Sequence, residues 1–356
     1  MRDKCILPFL ITERLEFFQL TQADLPELEI LLGDPEIMYA WEHGFTKIES
    51  QAWLNENLRR YSSDGHSYWA VRKKNDGSLI GVMGILKEVA EGKQYIGIGY
   101  ILNKKYWGQG YAGEGTAALC QYAFRKLQLQ TLTAQVRTNN FASQHIAEGL
   151  GMKAMCNFVK IYRGQEMPHF LYTLDRDKWL KTASNGTVIM LELEAKKDFL
   201  QLLLLGDEDE KMLDRYLKRG DLFALYKGDL KATVVVTQEK ENVFEVKNLA
   251  VWPQEQRRGY GRFLMTEMCR LYSRLGTRML VGTGDVFETL NFYQACGFTR
   301  SHVIKNFFTD NYPQPIFENG IQLKDMVYLE RFLKNDLRLK SKLCYEIYSC
   351  NDKLYI

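Results

Sequence analysis

Two short glycine-containing loops are the first candidates for chemistry in this sequence. The sharper one follows a predicted strand over 244–251 that ends at Trp252-Pro253, and it opens a predicted helix. Its residues are Gln256, Arg257, Arg258, Gly259, Tyr260 and Gly261. A glycine loop entering a helix presents unpaired N–H groups at the positive end of the helix dipole, and glycine lets a ligand approach the backbone. This loop therefore predicts an anion site suited to a pyrophosphate, with two arginines adding positive charge.

Another loop of the same kind lies in the first half of the chain. In chain order this is the first glycine loop, and the loop around Gly259 is the second. It follows a predicted strand over 95–102 and also opens a helix. Its residues are Trp107, Gly108, Gln109, Gly110, Tyr111 and Ala112, with Lys104 and Lys105 just upstream. Gly151 lies 41 positions after Gly110, and Gly297 lies 38 positions after Gly259. This recurrence strengthens the interpretation of both loops as phosphate cradles.

The sequence departs from two other phosphate-binding patterns. A dinucleotide-binding unit needs a parallel βαβ arrangement with an acidic residue about 20 residues beyond the glycines. Here several antiparallel-looking strands precede each loop instead. A P-loop needs Gly-Lys-Ser/Thr, and neither loop contains it.

The predicted elements around the two loops follow one order twice. In the first half, strands are predicted over 13–19, 67–72, 79–86, 95–102, 131–137, 152–161 and 169–174, and helices over 24–33, 48–61, 110–126 and 142–149. In the second half, strands are predicted over 188–193, 222–226, 232–238, 244–251 and 279–282, and helices over 208–218, 260–273 and 288–295. Hydrophobic periodicity and turn residues carry these assignments. The repeated order indicates a duplication.

The length of 356 residues favours two domains over a single core. The polar segment 181–186 is predicted to be the linker between them. The resulting domains cover 8–178 and 187–333, and a charged, aromatic extension covers 334–356.

The composition is that of a soluble globular protein, with 46% hydrophobic and 26% charged residues. A formal net charge of +3 gives no support for nucleic acid as the main partner. No apolar run reaches membrane-spanning length, and residues 1–10 lack the apolar core of a secretory signal, so no membrane partner is expected. The seven cysteines, an odd number without C-x2-C spacing, are interpreted as reduced thiols of a cytoplasmic protein. The five histidines have no metal-binding spacing, so no metal is expected.

The second loop and its surroundings resemble the GNAT superfamily of N-acetyltransferases. The strand over 246–251 followed by Gln256-x-x-Gly259-x-Gly261 resembles its acyl-CoA signature, and the segment over 291–298 resembles its second motif. The first half resembles the ribosomal-protein-alanine acetyltransferase branch of that superfamily. The segments that match this branch lie at 12–15, 34–38, 98–100 and 106–112, followed by Asn140-x-x-Ser143.

The resemblance implies an acetyl-CoA-dependent N-acetyltransferase of class α/β (α+β), built from two tandem domains. Each domain is expected to hold a mixed, mostly antiparallel sheet flanked by helices. The fourth and fifth strands of this fold splay apart, and the pantetheine arm of the co-substrate acetyl-CoA enters the gap. In the second domain the resemblance implies contacts to acetyl-CoA from Leu249, Ala250, Val251, Gln256, Arg257, Arg258, Gly259, Tyr260, Gly261 and Asn291. In the first domain it implies contacts from Tyr100, Ile101, Leu102, Gly108, Gln109, Gly110, Tyr111, Ala112, Asn140 and Ser143.

The resemblance also supplies catalytic candidates in the second domain. A neutral amine must attack the thioester, so a base or water relay must remove a proton, and a donor must protonate the departing thiolate. Tyr293 lies where the family often places that donor, and a phenol of pKa about 10 is protonated at neutral pH. Glu245 is the candidate base or relay anchor, unless Asn248 holds the water instead. The alternatives are a purely structural Tyr293 and a solvated Glu245.

Two further residues have structural interpretations at this stage. Ser143 is interpreted as a helix-cap residue. Trp107 fits packing as well as it fits contact with the co-substrate.

The first domain departs from its branch at two positions. Members often carry an acidic residue just before the Ile-Gly-Tyr of the fourth strand, where this chain has Gly97, and Glu91 lies further back. No tyrosine matches Tyr293, and His145 and Ile146 occupy that neighbourhood. These departures raise an alternative in which one catalytic domain is regulated by a second, non-catalytic acyl-CoA-binding domain.

The expected acceptor is a primary amine, either a protein N-terminus or a small molecule. Aromatic and acidic residues over 307–313 and 315–320 follow the second motif, and Asp310, Glu318 and Asp325 could attract a cationic amine. The favoured alternative is a structured loop and a final strand that pack on the sheet. The sequence specifies no oligomeric state.

Overall fold

The computed structural model describes residues 7–182 and 186–334, which fall into two compact units that divide between Val188 and Ile189. Helix α5 of the first unit continues through Thr182, so the first two residues of the predicted linker are helical rather than extended. Residues 183–185 of that linker lie outside the described residues. So does the predicted extension over 334–356, except for Lys334.

The first unit alternates strands and helices in the predicted order. Its strands are β1 (Leu10–Ile11), β2 (Leu15–Gln19), β3 (Tyr68–Lys73), β4 (Leu79–Ala90), β5 (Lys93–Leu102), β6 (Thr131–Arg137), β7 (Lys153–Tyr162) and β8 (Gln165–Asp175). Its helices are α1 (Leu25–Gly33), α2 (Lys47–Ser63), α3 (Tyr111–Arg125), α4 (Phe141–Gly149) and α5 (Arg176–Thr182).

The sheet of the first unit has the order β1-β2-β3-β4-β5-β6-β8-β7. Its neighbouring strands are antiparallel, except that β5 and β6 are parallel. Helices α1 and α2 cover one face, where Leu28 and Leu54 share a buried cluster with Val82 of β4. Helix α3 covers the other face, and Gly115 lets it approach Met83 of the same strand. Residues 82 and 83 thus reach opposite faces, as strand alternation requires.

The second unit repeats this architecture. Its strands are β9 (Val188–Glu192), β10 (Asp221–Lys227), β11 (Asp229–Lys240), β12 (Val243–Val251), β13 (Arg278–Gly284), β14 (Thr299–Ile304), β15 (Phe317–Glu318), β16 (Ile321–Gln322) and β17 (Met326–Phe332). Its helices are α6 (Leu200–Leu203), α7 (Glu210–Leu217), α8 (Tyr260–Tyr272), α9 (Phe287–Ala295) and α10 (Phe307–Asn311).

The main sheet of the second unit has the order β9-β10-β11-β12-β13-β17-β14, and β15 and β16 form a separate hairpin. Strands β12 and β13 are parallel, whereas β10–β11, β11–β12, β13–β17 and β14–β17 are antiparallel. Helix α8 packs on one face, with the Tyr272 ring 4.7 Å from that of Phe244. Helices α6 and α7 cover the other face through Leu203 and Leu213, which share a cluster with Val235. The predicted fold class, two mixed and mostly antiparallel sheets flanked by helices, is confirmed.

Two further features concern the cysteines and the helices. Cys120, Cys156, Cys269 and Cys296 are free thiols. Across the described residues, no helix combines the length and the hydrophobicity needed to span a bilayer.

Candidate functional site

The parallel strands β12 and β13 of the second unit separate part-way along their length. They pair in register from Val243–Arg278 to Val246–Val281. Beyond this point, β12 continues to pair with β11 through Val251, but within the described chain it has no register partner in β13. A bulge at Lys247 marks the place where the separation begins. The backbone over 247–251 therefore presents an edge that an extended ligand can occupy.

The first unit has the same separation between β5 and β6. The two strands share one register pair, Gly97–Thr133, and residues 98–102 of β5 pair only with β4. A cavity of about 340 Å³ lies in the gap. Both diverging strands line it, through Ile98, Gly99 and Tyr100 on one side and Ala134, Gln135, Val136 and Arg137 on the other.

Each glycine loop ends at the gap and opens a helix. Gly259 precedes α8 with φ +86°, and Gly110 precedes α3 with φ +78°, and no side chain caps either helix. Since this left-handed conformation is costly for other residues, backbone geometry accounts for both glycines. The first N–H groups of both helices are thus available to an anion, and the loops are exposed.

Positive charge surrounds the second loop. Arg258 pairs with Glu255 at 2.9 Å, and Glu255 in turn pairs with Lys231 at 2.6 Å. Arg257 has a positive φ of 59° and is exposed. An open strand edge beside an uncapped helix N-terminus and an exposed arginine is chemically suited to the pantetheine and pyrophosphate of acetyl-CoA.

Arg14 supports the first loop, and sequence reasoning did not single it out. Its Nη1 donates to the carbonyl oxygen of Gln109 at 2.9 Å, and its Nε pairs with Glu114 at 2.5 Å. Its guanidinium also lies 4.3 Å from the ring centroid of Tyr111. The only sequence signal for this role was the segment over 12–15, which matched the family branch without indicating a contact.

Tyr293 lies in α9, and its neighbour Phe292 packs against Gly261 at the start of α8. Its ring packs on Phe292 and Phe298 and is only 8% exposed. Burial, followed by the proximity of Cys296 and Glu318, raises the pKa of Tyr293 well above its usual range. Among the described residues, its hydroxyl makes no hydrogen bond. The phenol is therefore protonated at neutral pH and free to donate, although it is packed as a core residue would be. Asn291, in the same helix, is exposed.

Glu245 is buried on β12, so it is not the solvated strand residue of the alternative interpretation. Its Oε1 accepts from Lys247 Nζ at 2.9 Å and from the Tyr328 hydroxyl at 3.2 Å. Burial and this carboxylate raise the pKa of Tyr328. A carboxylate held by a cation and a phenol is chemically able to accept a proton from an amine.

Asn248 is also buried, and its amide links β12 to helices α6 and α7. Its Nδ2 donates to the carbonyl oxygen of Leu203 at 2.9 Å and to the Tyr216 hydroxyl at 3.2 Å. Its Oδ1 is enclosed without a hydrogen-bond partner among the described residues. The nitrogen is therefore committed to the fold, and only the oxygen could hold a water.

The aromatic and acidic segment after the second motif folds into helix α10 and the β15–β16 hairpin, and is therefore more regular than the structured loop of the favoured alternative. The final strand of that alternative is β17, which pairs with β13 and β14. Glu318 accepts a hydrogen bond from the Thr289 hydroxyl. Asp325 accepts from Lys305 at 2.6 Å and from the Asn306 N–H at 2.9 Å. These two carboxylates are thus already paired, and Asp310 is the exposed member of the three acidic candidates.

Asn140, and not Ser143, caps helix α4, which corrects the interpretation from sequence. Asn140 Oδ1 accepts from the Ser143 N–H at 3.1 Å. The Ser143 hydroxyl instead accepts from Tyr100 at 2.9 Å, and both residues line the cavity. The cap falls to Asn140 because an amide oxygen one turn earlier reaches the free N–H, whereas a serine inside the first turn cannot cap its own helix. Ala147, four residues before Gly151, takes the place that Tyr293 has before Gly297.

A carboxylate that sequence reasoning missed lies in the cavity of the first unit. Glu88 of β4 lines this cavity, and its Oε2 is enclosed without a hydrogen-bond partner in the described part of the chain. Glu91, considered from the sequence, instead lies at the exposed tip of the β4–β5 hairpin. The hairpin register was the available signal, because it places Glu88 opposite Tyr95 and diagonal to Gly97.

Comparison with known proteins agrees with this geometry. Models of families described as acetyltransferase (GNAT) domain match residues 14–153 and residues 218–300. The uncharacterized N-acetyltransferase YvbK of Bacillus subtilis is 35% identical over 144 residues, which cover 40% of this chain and 93% of that protein. The FsC-acetyl coenzyme A-N(2)-transacetylase of Aspergillus fumigatus is 29% identical over 189 residues, covering 49% of this chain and 79% of that protein. A crystal structure of a Bacillus subtilis acetyltransferase in complex with CoA is 33% identical, with a TM-score of 0.39 over 41% of this chain and 98% of that one.

Each half of the chain thus matches the same family separately, and one relative is matched over nearly its whole length. The chain belongs to the GNAT family of acetyltransferases, with two such domains in tandem, and is an acyltransferase that uses acetyl-CoA as its co-substrate.

Proposed function

We propose that the second unit transfers the acetyl group of acetyl-CoA to a primary amine, with Glu245 as proton acceptor and Tyr293 as proton donor. The observation that carries this proposal is the separation of β12 from β13 directly beside the uncapped helix at Gly259. Acetyl-CoA would occupy this gap along Leu249–Val251, with its pyrophosphate at the glycine loop. In this proposal Tyr293 and Glu245 act on the thioester from opposite faces of the sheet, through the gap between β12 and β13.

The chemistry follows from these two groups. The acceptor ammonium loses a proton to the Glu245 carboxylate, and the resulting neutral amine attacks the thioester carbonyl carbon. The C–S bond breaks, and the CoA thiolate takes a proton from the Tyr293 hydroxyl. Tyr293 regains its proton from the nitrogen of the new amide through water, and Glu245 releases its proton to solvent. The products are an N-acetylated amine, CoA and one proton.

The acceptor is proposed to be a protein N-terminus or a small-molecule amine. The name of the Aspergillus fumigatus relative describes an N(2)-transacetylase that uses acetyl coenzyme A, which supports a nitrogen acceptor. The exposed Asp310, within the aromatic helix α10, supports a cationic acceptor at the second unit. The domain boundaries 8–178 and 187–333 are proposed as the two enzyme modules.

A second candidate function assigns regulation to the first unit. It would bind acyl-CoA without transferring the acyl group, because Gly97 supplies no carboxylate and Ala147 replaces the tyrosine. This candidate predicts that blocking the first loop changes the activity of the second unit without removing any activity of its own.

One experiment separates these functions. The full chain is assayed for free-thiol release with acetyl-CoA and three amines: an alanine-initiated peptide, spermidine and hydroxylamine. Gly110→Glu and Gly259→Glu each place a strained, negative residue in one phosphate cradle and so isolate the other unit. Activity that survives in Gly110→Glu and is reduced or lost in Gly259→Glu supports catalysis by the second unit. Full activity in Gly259→Glu contradicts that assignment.

A further inference from the structure

Two glycines of β5 leave room for side chains of the neighbouring strands. A Cβ atom at Gly97 would overlap Oε2 of Glu88, and one at Gly99 would lie 2.6 Å from the Tyr68 hydroxyl. Neither glycine has a positive φ, so backbone conformation does not require them. They are instead positions where β5 gives up its own side chain and Glu88 and Tyr68 occupy the space.

Gly97 is the counterpart of Glu245 by strand register. Gly97 pairs with Thr133, the third residue of β6, and Glu245 pairs with Leu280, the third residue of β13. In both units this pair lies at the last stretch of parallel pairing before the strands separate. The Glu88 carboxylate is therefore delivered from β4 to the place where the second unit has a carboxylate on its own strand.

The surroundings of Glu88 suit a reactive carboxylate better than a structural one. Its Oε2 is enclosed and unpartnered within the described residues, and it faces the 340 Å³ cavity rather than an arginine or a backbone N–H. Burial raises the pKa of the Glu88 carboxyl, and the charges of Lys160 and Arg60 offset only part of that effect. An enclosed carboxylate oxygen without a hydrogen-bond partner is costly for stability, and a bound ligand or substrate would supply that partner.

The same cavity is lined from both faces of the sheet of the first unit. Tyr100 and Ser143 line it from the face of α4, whereas Glu88 and Tyr68 line it from the face of α1 and α2. An acceptor amine entering from the second face would meet the Glu88 carboxylate before it meets a thioester in the gap.

We propose that Glu88 is the proton acceptor of a second acetyl-transfer site, in the first unit, which acts on a primary amine. This inference rests on the proposed function, because it takes amine acetylation by this fold as given. The ammonium transfers a proton to Glu88, the neutral nitrogen attacks the thioester carbonyl carbon, and the C–S bond breaks. The CoA thiolate takes the second nitrogen proton, and Glu88 returns its proton to solvent. The first unit is then an enzyme rather than a sensor.

The test uses the full chain with Gly259→Glu, which leaves the first unit as the active one. Glu88→Gln is compared with its parent for thiol release to the alanine-initiated peptide, to spermidine and to hydroxylamine, which is already neutral at the assay pH. We expect about a 10²-fold or larger fall with the two alkylamines, since general bases contribute on this scale. With hydroxylamine we expect a much smaller fall, and acetyl-CoA affinity by calorimetry should not change.

A relocation variant guards against a purely structural explanation. Glu88→Ala with Gly97→Glu moves the carboxylate to the register position of Glu245, into space that Glu88 vacates. We expect this double variant to recover alkylamine transfer relative to Glu88→Ala alone. Equal loss with hydroxylamine, unchanged rates in Glu88→Gln, or no recovery in the double variant would each overturn the role of Glu88.

The activities of the parent chains distinguish failure of the Glu88 proposal from failure of the proposed function. If Gly259→Glu is inactive with all three amines while Gly110→Glu is active, the Glu88 proposal fails and the function of the second unit stands. If the unmodified chain releases no thiol with any of the amines, the proposed amine acetylation itself fails.

Discussion

The Tyr328 hydroxyl reaches across β13 to donate a hydrogen bond to Glu245 Oε1 at 3.2 Å. Lys247 approaches the same oxygen at 2.9 Å, so the carboxylate is positioned by two donors on different strands. Glu245 lies one residue before Val246, the last residue of β12 that pairs with β13, and so next to the gap that acetyl-CoA is proposed to occupy.

Replacing Glu245 by glutamine tests its role as proton acceptor. In the Gly110→Glu chain, we expect kcat/KM for an alkylamine to fall by about 10²-fold or more, because glutamine cannot take the proton. The measurement is free-thiol release across amine concentrations, with hydroxylamine as the amine that needs no base. Identical losses for both amines would show that Glu245 only supports the fold.

Replacing Tyr293 by phenylalanine removes the proposed proton donor while keeping the ring that packs on Phe292 and Phe298. We expect turnover of the second unit to fall far more than it does in Gly110→Glu. Because burial raises the pKa of Tyr293, the donor stays protonated, and the loss should be the same from neutral to mildly alkaline pH. Unchanged turnover in Tyr293→Phe, with an equal or greater loss in Gly110→Glu, would reverse this ranking.

The activity of the first unit should depend on pH through Glu88. Burial raises the pKa of this carboxyl above the ordinary glutamate value, so the base is lost as pH falls through the raised pKa. Alkylamine transfer by the Gly259→Glu chain should therefore decline on the acid side at a higher pH than an exposed glutamate would give.

Substitution of Lys160 tests whether Glu88 sets the acid limb of the pH–rate profile. Its charge, like that of Arg60, lowers the pKa of Glu88, so Lys160→Met should move the acid limb to still higher pH. Tyr68 is neutral over this range because burial raises its pKa. A pH–rate profile that is identical in Lys160→Met would contradict the assignment of the limb to Glu88.

Two glycines of the first unit should respond in opposite ways to alanine. A Cβ at Gly84 would lie 2.5 Å from the Ser67 carbonyl oxygen and 2.6 Å from Tyr68 Cα, both backbone atoms. Gly84→Ala should therefore lower the free energy of unfolding by about 1–3 kcal/mol. Gly113, in helix α3, has open space around a Cβ, and Gly113→Ala should raise it by about 0.5–1 kcal/mol. Denaturant unfolding of the two variants measures both, and equal effects would exclude this steric account.

Local patterns predicted most of the elements and the positions of the two glycine loops well. Tyr111 and Tyr260 begin helices directly after Gly110 and Gly259, because the left-handed glycine and the apolar periodicity that follows are both local signals. Helix α6 was missed, since Leu200–Leu203 is a single apolar turn with no period to detect.

Contacts between distant residues were beyond local patterns. Tyr312 donates to Asp207, which lies 105 residues earlier, at 3.1 Å, and no spacing rule connects them. Arg14 donates to the carbonyl oxygen of Gln109, 95 residues later, and no spacing rule connects this pair either. Glu88 could be reached from hairpin register, because it pairs with Tyr95, two residues from Gly97, whereas Glu91, the acidic residue named from the sequence, lies in the turn.

The stoichiometry of acetyl-CoA binding tests the central claim of two working co-substrate sites most directly. Calorimetric titration of the full chain should give two equivalents, falling to one in Gly110→Glu and to one in Gly259→Glu, with folding checked by circular dichroism. A single equivalent in the unmodified chain, lost entirely in one of the two variants and retained in the other, would contradict it.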